Sequence, residues 1–375
     1  MMRTVRHSTE ADAEAIMAMY DHSRSLMRQA GNTTQWVGYP TRQQLQRDIE
    51  RGSSYVVVSA DGQTVGTFAL VDGDEPTYAV IDHGRWIDTR TPYATLHRLA
   101  CAPGTSGVAA DAFAFAKSRF RHLRVDTHES NGAMRHIAAR EQMVYCGIVY
   151  MGDGTPRLAY EWWRWDEVPQ GLQHFVEQQV LPQYDHFDAA HRRDHALRVV
   201  ARAMCQAADL TSPAPNLPAM LYAAAAMHDI GLAAGRERHH LESGRLIREC
   251  CMLHRWFSDN EIEQIAQAAE DHRASAQQPP RSPLGCIVAE ADRDVEPETI
   301  VRRTVEYGLD HYPQLDREGH WQRTLQHLDE KYSEHGYIKL WLDHSPNAEP
   351  LAELRALIHD HARLRPLFET YYKAT

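Results

Sequence analysis

The chain has 375 residues, of which 43% are hydrophobic and 24% are charged. This composition is typical of a globular protein and excludes a disordered or low-complexity chain. The formal net charge of −11 disfavours unspecific binding to nucleic acid or to an anionic membrane, because both need basic patches. Domains usually span about 100–200 residues, so we expect two of them.

The cysteines and the apolar segments indicate a cellular location. The six cysteines contain no CxxC pair, so they predict reduced thiols and neither a disulfide framework nor a zinc ribbon. The N-terminus lacks the apolar run of a signal peptide. The longest apolar stretch, 217–234, contains His228 and Asp229, so we expect no transmembrane helix. Together these features predict a cytoplasmic protein.

The first 165 residues alternate between strand-like and helix-like patterns. A short strand at 3–7 is followed by an acidic helix start at Thr9, and a polar helix is predicted at 41–51. Two β-branched runs flank Asp61-Gly62, which is typical of a tight hairpin. Further strands are predicted at 95–101, 123–127, 144–151 and 157–163, with helices at 107–119 and 131–141. The first half therefore predicts an α+β domain with a mostly antiparallel sheet.

After Pro169 the pattern becomes helical, and no convincing strand is found. Pro169 and Gly171 mark the change, so the predicted domains are 1–166 and 170–375. Helices are predicted at 171–181, 188–209, 217–230, 238–256, 259–275, 283–294, 297–310, 320–341 and 350–373. The second half therefore predicts an all-α bundle.

Histidines are concentrated in this second half. Sixteen of the 23 histidines lie after residue 166, and histidine is the commonest metal ligand. A helical bundle can direct side chains from several helices into one interior cluster. Mixed imidazole and carboxylate ligands suit a divalent metal, and Mn, Fe, Co, Ni, Zn and Mg all remain open. The candidate metal ligands near predicted helix ends are His195, His228, Asp229, His240, His272 and Asp292.

The ordered pattern H…HD…H…H…D resembles the HD-domain metal-dependent phosphohydrolase superfamily over about residues 170–300. The core ligands that this resemblance implies are His195, His228, Asp229 and Asp292, with His228 and Asp229 as catalytic residues. His240 and His272 match histidines that add a second metal in some members. The alternative is a single metal, with those two histidines binding substrate phosphate. The implied substrate is a nucleotide or another small phosphate ester.

Phosphate contacts are less well defined by the pattern. Leu232 stands where some members of the superfamily carry a lysine. Arg273 and Arg293 are predicted to bind phosphate in its place, with Arg281 as a further option, because guanidinium groups bind phosphate well. Each of these arginines is equally explained as a solvated surface charge. The general acid or base is open among Glu237, Glu270 and Asp271.

A strand, a loop of small residues and a helix follow one another in the first half. The strand ends at Cys101, the loop and helix start read Ser-Gly-Val-Ala-Ala, and a later helix begins with an asparagine. This order resembles the GNAT acyltransferase superfamily over about residues 3–165. The resemblance implies acyl transfer from acetyl-CoA to an amine, with the loop amides on the CoA pyrophosphate. The implied cofactor-binding residues are Gly107, Val108, Ala109, Ala110 and Asn131.

Three features depart from the GNAT pattern, one of which is Gln142-Met143 in place of the usual Gly-Phe. Gly104 replaces the usual Gln or Arg at the first loop position, and Ala138 stands where many members place an acid tyrosine. An acid or base is open among His97, His128 and Glu129. Three interpretations therefore remain: a two-domain enzyme, a hydrolase regulated by a non-catalytic acyl-CoA-binding domain, and an interaction protein with a structural metal.

Overall fold

The computed structural model describes residues 3–188, 190–207, 215–276 and 278–373. The chain forms two compact units, Met1–Trp165 and Asp166–Thr375. The first unit mixes strands and helices, and the second is helical. One segment, Leu217–Ala234, is long and apolar enough to cross a membrane, but 72% of it is buried, as in the core helix of a soluble protein.

In the described part of the first unit, eight strands form one sheet in the order β1-β2-β3-β5-β6-β8-β7-β4. All neighbouring strands are antiparallel except β5 and β6, which are parallel. The prediction of a mostly antiparallel sheet is therefore confirmed. The strands are β1 Thr4–His7, β2 Ser54–Val58, β3 Thr64–Asp72, β4 Ile81–Asp82, β5 Ala94–Cys101, β6 His122–Thr127, β7 Val144–Tyr150 and β8 Pro156–Trp163.

Helices cover both faces of this sheet, because alternate side chains of a strand point to opposite faces. Val56 of β2 packs with Ile16 and Leu45 on one face. Its neighbours Tyr55 and Val57 belong to the core on the other face. The helices are α1 Ala13–Gln29 and α2 Arg42–Glu50 on the first face, and α3 Val108–Arg119 and α4 Gly132–Arg140 on the second.

The hairpin between β2 and β3 forms as its sequence predicts. The amide of Ser59 donates to the carbonyl of Gln63 over 2.9 Å. Gly62 has φ +84°, in the left-handed region that glycine adopts at little cost. The Asp-Gly pair therefore closes the turn, and β3 continues into the centre of the sheet.

The parallel strands β5 and β6 separate along their length. Their pairing is limited to Ala94 with Leu123 and Thr95 with Arg124, although β5 continues to Cys101 and β6 to Thr127. Beyond these pairs the two strands diverge. The gap opens toward the N-termini of α3 and α4, which follow β5 and β6 in the chain.

The described residues of the second unit form helices and contain no strand. A π-helical turn at Val176–Val180 joins the first two helices. The helices are α5 Gln170–Phe175, α6 Leu181–Tyr184, α7 Arg193–Ala207, α8 Leu217–Met227, α9 His239–Glu249, α10 Asp259–Asp271, α11 Pro283–Asp292, α12 Pro297–His311, α13 Arg317–Tyr332, α14 Ala348–His359 and α15 His361–Lys373. The all-α prediction is confirmed for the described residues.

Several predicted helices of the second unit are shorter or divided, and three of them differ most. The helix predicted at 238–256 ends at Glu249, because Cys250 is extended. The one predicted at 350–373 is divided at Asp360, whose side chain accepts from the amide of Arg363 over 3.1 Å. The one predicted at 320–341 ends at Tyr332, because the amides of residues 341 and 342 instead bind the buried carboxylate of Glu290. Residues 189, 208 and 209 of the helix predicted at 188–209 lie outside the described residues.

Candidate functional site

Five of the six predicted metal ligands meet in the second unit. His195 lies in the first turn of α7, and Asp292 is the last residue of α11. His228 and Asp229 directly follow α8, and His272 directly follows α10. Helix ends from four helices therefore place these side chains in one cluster, whose ligand atoms lie within 4.8 Å of one another in groups of three.

The two carboxylate oxygens of Asp229 face two different sets of imidazoles. Its Oδ2 lies 3.3 Å from Nε2 of His228 and 3.6 Å from Nε2 of His195. Its Oδ1 lies 3.3 Å from Nε2 of His239 and 3.3 Å from Nε2 of His272. Asp229 therefore stands between two ligand sets, with one oxygen aimed at each.

Asp292 completes the first of these sets. Its Oδ1 lies 3.2 Å from Nε2 of His195 and 3.7 Å from Nε2 of His228. Those two imidazole nitrogens lie 3.2 Å apart. His195, His228 and Asp292 thus lie on the side of Oδ2 of Asp229, while His239 and His272 lie on the side of Oδ1.

Backbone carbonyls fix the orientation of three of the imidazole rings. The Nδ1 atoms of His228, His239 and His272 lie 2.8, 2.7 and 2.5 Å from the carbonyl oxygen three residues earlier. A carbonyl oxygen only accepts hydrogen bonds, so each Nδ1 carries a proton and a neutral ring presents the Nε2 lone pair to the cluster. This is the arrangement by which proteins hold histidine ligands to metals.

The donor set fits a divalent cation. The Nε2 atoms of His239 and His272 lie 3.2 Å apart, so two lone pairs face each other beside a carboxylate. Asp229 is 3% exposed, and its Oδ1 has no hydrogen-bond donor among the described residues. Burying such an atom without a partner is costly. A cation between the lone pairs and this oxygen removes both penalties.

The electrostatics of the cluster also favour positive charge at its centre. Burial acts to lower the pKa of His195, but hydrogen bonds to Asp229 and Asp292 outweigh it and raise the pKa to about 9. Burial acts to raise the pKa of Asp229, but the neighbouring imidazoles of His228, His195 and His272 hold this pKa well below its ordinary range. Burial acts in the same way on Asp292, and its contact with His195 holds that pKa below its ordinary range as well. Both carboxylates are therefore ionised and available as ligands.

One predicted ligand differs by one position: the structure brings His239 into the cluster, and His240 stays outside it. Adjacent residues on a helix point about 100° apart, so only one of the two can face Asp229. His239 shares its helix face with Ser243 and Ile247, which are both fully buried. The buried positions of α9 also include Gly244, and together they lie at i+3, i+4 and i+7 from His240, so periodicity in the sequence does not distinguish the two histidines.

Two glycines let α9 approach the cluster. A Cβ on Gly231 would lie 2.3 Å from the carbonyl oxygen of His239, and a Cβ on Gly244 would lie 2.5 Å from the carboxylate of Glu270. The amide of Gly231 also donates to Ser243 Oγ over 2.9 Å. Close contact at both glycines sets the start of α9 against the segment after α8, which is why His239 reaches Asp229.

The predicted phosphate-binding arginines directly follow two of the ligands, His272 and Asp292. Arg273 donates from Nη1 to the carbonyl oxygen of Glu237 over 3.0 Å, near the surface. Arg293 is 5% exposed, and its guanidinium lies 5.8 Å from the centre of the Trp341 ring. Arg293 nevertheless follows Asp292 directly, and its Nε and Nη1 have no hydrogen-bond partner among the described residues.

The predicted acid–base residues of this unit are engaged in ion pairs. Arg281 lies 2.6 Å from the Glu270 carboxylate and 2.8 Å from that of Asp271. Arg248 pairs with Glu270 from the other side. These carboxylates are therefore neutralised by arginines, and the side chain of Glu237 is exposed.

The first unit contains a cavity of about 710 Å³ at the gap between β5 and β6. Gly107, Val108, Ala109 and Asn131 line it, and Ala110 lies beyond the lining. Gly107 precedes α3 with φ +82°. The first amides of a helix have no partner within the helix and attract anions. The predicted loop therefore opens into the cavity.

The other N-terminal helix end at this cavity belongs to α4. Asn131 caps it, because its side chain accepts from the amide of Met134 over 3.1 Å. The same side chain donates from Nδ2 to Gln35 over 3.2 Å. Asn131 thus joins the cap of α4 to the segment after α1, and both border the cavity.

A histidine and two carboxylates lie where the strands separate. Nε2 of His97 lies 3.3 Å from Glu75, and its Nδ1 lies 3.9 Å from Asp126. Tyr78 donates to Asp126 over 2.8 Å. The contact with His97 is the main reason that the pKa of Glu75 falls to about 2. His97 and Asp126 both line the cavity. No motif in the sequence marks Glu75, Tyr78 or Asp126 as functional residues.

The other acid–base options in this unit are placed differently. His128 is half-buried, and its ring nitrogens lie 3.1 Å from Thr34 Oγ1 and 2.8 Å from Ser130 Oγ. Glu129 is exposed. Ala138 is fully buried in the core between the sheet and α4.

Comparison with protein families agrees with the geometry of the second unit. Residues 192–294 match the family model described as "HD domain". The matched range contains both ligand sets around Asp229. No curated protein matches the chain.

The first unit is similar to solved acetyltransferase structures. A GNAT-family acetyltransferase from Streptococcus agalactiae is 30% identical, covering 44% of this chain and 96% of that one, with a TM-score of 0.40. One from Listeria monocytogenes is 18% identical, covering 43% and 95%, with a TM-score of 0.35. A ribosomal-protein-alanine N-acetyltransferase from Brucella melitensis is 21% identical, covering 43% and 99%, with a TM-score of 0.30.

These findings indicate an enzyme with two functional units. The identity to the Streptococcus agalactiae protein extends over nearly all of that protein, and the HD match spans the histidine and aspartate cluster. HD domains form a superfamily of metal-dependent phosphohydrolases. Through its first unit the chain belongs to the GNAT acetyltransferase family, and its second unit carries an HD domain.

Proposed function

We propose that the second unit hydrolyses a small phosphate ester at a centre of two divalent metal ions. The observation that carries this proposal is Asp229, whose two oxygens each face a separate pair of imidazoles. His195, His228 and Asp292 would hold one ion, and His239 and His272 the other. Asp229 would bridge them.

Bound metal ions would supply a water with a pKa near neutrality and would polarise a phosphoryl oxygen. The residues of the chain hold and orient the ligand atoms. The catalytic role of His228 and Asp229 is to hold the metal. The hydroxyl of the buried Tyr184 accepts a hydrogen bond from the amide of Asp229 and donates one to the carbonyl of Ala226. The mixed donor set accommodates Mn, Fe, Co, Ni or Zn, and Mg with more of its own water.

The experiment that tests this function combines metal analysis with a substrate screen. The purified protein is stripped with chelator, reloaded with each divalent ion, and assayed for phosphate release from nucleotides and sugar phosphates. We expect about two ions per chain and phosphate release that depends on them. Protein that takes up no Mn or Co and releases no phosphate would contradict the proposal.

We propose that the first unit transfers an acetyl group from acetyl-CoA to an amine. We also propose that the protein is cytoplasmic. The amides at the start of α3 would hold the pyrophosphate of CoA, and Asn131 would border the same cavity. His97 would accept the proton of the incoming amine at a ring nitrogen. Glu75 and Asp126 lie on either side of its ring and would stabilise the imidazolium that forms.

We expect His97→Gln to lower the rate of acetyl transfer about 10²–10⁴-fold, the usual contribution of a general base. The affinity for acetyl-CoA should be unchanged, because the predicted CoA amides lie on α3. The measurement is thiol release with an amine panel, together with calorimetry for acetyl-CoA. His128, which does not line the cavity, serves as the matched control, and His128→Gln should keep full activity. Equal losses in both variants would reject His97 as the base.

We expect Gly107→Glu to weaken acetyl-CoA binding at least tenfold while the metal content stays the same. Glutamate places bulk and negative charge where the backbone approaches phosphates, and φ +82° strains any side chain there. Gly107→Ala carries the same strain without the charge and should weaken binding less. Calorimetry decides this, and unchanged affinity in the glutamate variant would place the CoA loop elsewhere.

A second candidate function for the first unit is non-catalytic acyl-CoA binding that regulates the hydrolase. The observation in its favour is Ala138, which puts a buried methyl group at the position of the usual acid tyrosine. Under this alternative acetyl-CoA binds, no thiol is released with any amine, and the rate of phosphate release changes on addition of acetyl-CoA. The same panel of amines therefore separates the two functions.

A further inference from the structure

Arg157 is a buried cation on the wall of the cavity in the first unit. It is the second residue of β8, it is 7% exposed, and it lines the cavity. Its Nη1 donates to the carbonyl oxygen of Pro156 over 2.8 Å, which is the only hydrogen bond that this side chain forms with the described residues. A guanidinium carries several N–H donors. Most of them are therefore left for a ligand in the cavity.

The other two arginines that line the cavity have counter-ions. Nε of Arg98 lies 2.9 Å from the carboxylate of Asp48. Nη2 of Arg140 lies 2.9 Å from the carboxylate of Glu141. Arg157 forms no ion pair with the described residues. A buried guanidinium without a carboxylate partner is costly, and a bound anion relieves that cost.

Two carboxylates line the same cavity beyond ion-pair distance of Arg157. The charges of Asp126 and Asp153 act to raise the pKa of Arg157, but burial outweighs them and lowers it. Asp153 is exposed, and its Oδ1 accepts from the amide and the hydroxyl of Thr155 over 3.0 and 2.6 Å. Among the described residues only Tyr78 donates to Asp126, and it donates to Oδ2. The wall therefore presents one unpaired cation and one carboxylate oxygen, Oδ1 of Asp126, that has no donor.

The register of the sheet places Arg157 on the same face as the proposed base. Asp126 of β6 pairs with Ala159 of β8, and Arg157 lies two residues from Ala159, on the same side of the strand. Diagonal neighbours of this kind are about 7–8 Å apart. His97 of β5 lies on the other side of Asp126, with its Nδ1 at 3.9 Å. The base, the carboxylate and the guanidinium therefore follow one another across three neighbouring strands.

This sheet face is turned away from α3 and α4. Ala159 packs on it with Tyr78, whereas the next residue of β8, Tyr160, packs against the core that includes α3. The predicted CoA amides lie at the start of α3. Arg157 is therefore placed for the acceptor of the acetyl group rather than for the pyrophosphate of CoA.

We propose that the acceptor of the first unit is an amino acid, whose carboxylate binds Arg157 while its amine lies beside Asp126 and His97. A planar guanidinium binds a carboxylate through two parallel hydrogen bonds. An amino acid carries an ammonium and a carboxylate in one small molecule, so it complements both the carboxylate and the cation of the cavity wall. This inference rests on the proposed acetyl transfer and adds the class of its acceptor.

The transfer step balances with the groups already named. His97 takes one proton from the bound ammonium, which leaves a neutral amine. The amine nitrogen forms a bond to the carbonyl carbon of the acetyl group, and the carbon–sulfur bond of acetyl-CoA breaks with its electron pair on sulfur. The nitrogen loses a second proton to that sulfur. The products are an N-acetyl amino acid, the CoA thiol and one proton, which His97 returns to water.

The test measures binding without turnover, by calorimetry on the full-length protein saturated with CoA. The probes are the standard amino acids and the corresponding amino acid amides, in which a neutral carboxamide replaces the carboxylate. We expect at least one amino acid to bind at least tenfold more tightly than its amide. Arg157→Gln should weaken the binding of that amino acid at least tenfold and leave the affinity for its amide unchanged.

Arg140→Gln is the matched control, because Arg140 lines the same cavity, is exposed and has a counter-ion. It should bind the amino acid as the wild type does. Arg157→Lys keeps the charge without the planar fork and should fall between wild type and Arg157→Gln. Arg157→Gln removes no native ion pair, and thermal unfolding with an unchanged affinity for acetyl-CoA should confirm that it folds. Equal affinities for amino acids and their amides, or for wild type and Arg157→Gln, would overturn the proposal.

Acetyl transfer provides the second measurement, as thiol release with the same probes. Arg157→Gln should raise the Michaelis constant for the amino acid at least tenfold with a smaller change in kcat. Thiol release with amides but not with amino acids would overturn the carboxylate subsite and leave acetyl transfer in place. Amino acid binding that depends on Arg157, without thiol release, would support the subsite and reject the transfer.

Discussion

Asp229→Ala is expected to abolish metal-dependent phosphate release, with a loss on the order of 10³-fold or more, as when a preorganised charge is removed from an active site. The change deletes the one carboxylate that faces both ligand sets. It also leaves the imidazoles of His239 and His272 with no negative partner. Bound metal should fall well below two ions per chain. Phosphate release with Mn, Co and Ni and elemental analysis measure both effects.

The control for this variant is Asp310→Ala, which removes an exposed carboxylate of the same unit from α12. It should keep wild-type metal content and activity. Both variants should bind acetyl-CoA as the wild type does, because the predicted CoA amides belong to the other unit. An Asp229→Ala protein that keeps full phosphatase activity with all three metals would show that the centre lies elsewhere.

His239→Ala is expected to lower bound metal from about two ions to about one per chain, while His240→Ala leaves it at two. His239 has its Nε2 at 3.3 Å from Asp229 and 3.2 Å from Nε2 of His272, so its loss removes one of two imidazoles from the second set. His240 lies outside both sets. The two residues have the same chemistry and adjacent positions, so each is the other's control. Metal counting after dialysis measures the difference.

The one-metal alternative makes a different prediction for the same variants. If His239 and His272 bind substrate phosphate instead, metal content stays near one ion in wild type, His239→Ala and His272→Ala. The Michaelis constant then rises in the two variants. One tightly bound ion in all three proteins would therefore end the two-metal proposal and leave the first ligand set intact.

The adjacent histidines show what a pattern of residue types leaves open. The sequence places a histidine pair at a helix start between the His-Asp pair and His272, and either member satisfies the order of ligands. The choice depends on rotation of α9 by about 100°. Contact at Gly231 and Gly244 sets that rotation. The buried Ser243, Gly244 and Ile247 fit the helical spacing from either histidine, so periodicity alone does not choose between them.

The site in the first unit divides in a similar way. The loop at Gly107 and the cap at Asn131 are local features, and the sequence predicts both because positive φ and capping depend on neighbouring residues. The grouping of Glu75, His97 and Asp126 is not local. It depends on the pairing of β5 with β6 and on their separation beyond the paired residues. These strands are far apart in the chain, so no short segment of the sequence predicts the grouping.

The sequence by itself determined the two fold classes, the Asp-Gly hairpin and most members of the metal cluster. These follow from periodicity, turn chemistry and ordered residue types, which act over a few residues at a time. The tertiary structure alone decided which histidine faces Asp229 and that Asp229 presents one oxygen to each ligand set. The reason is physical: these relations join side chains from helices far apart in the chain, and the close packing of the helices fixes their orientation.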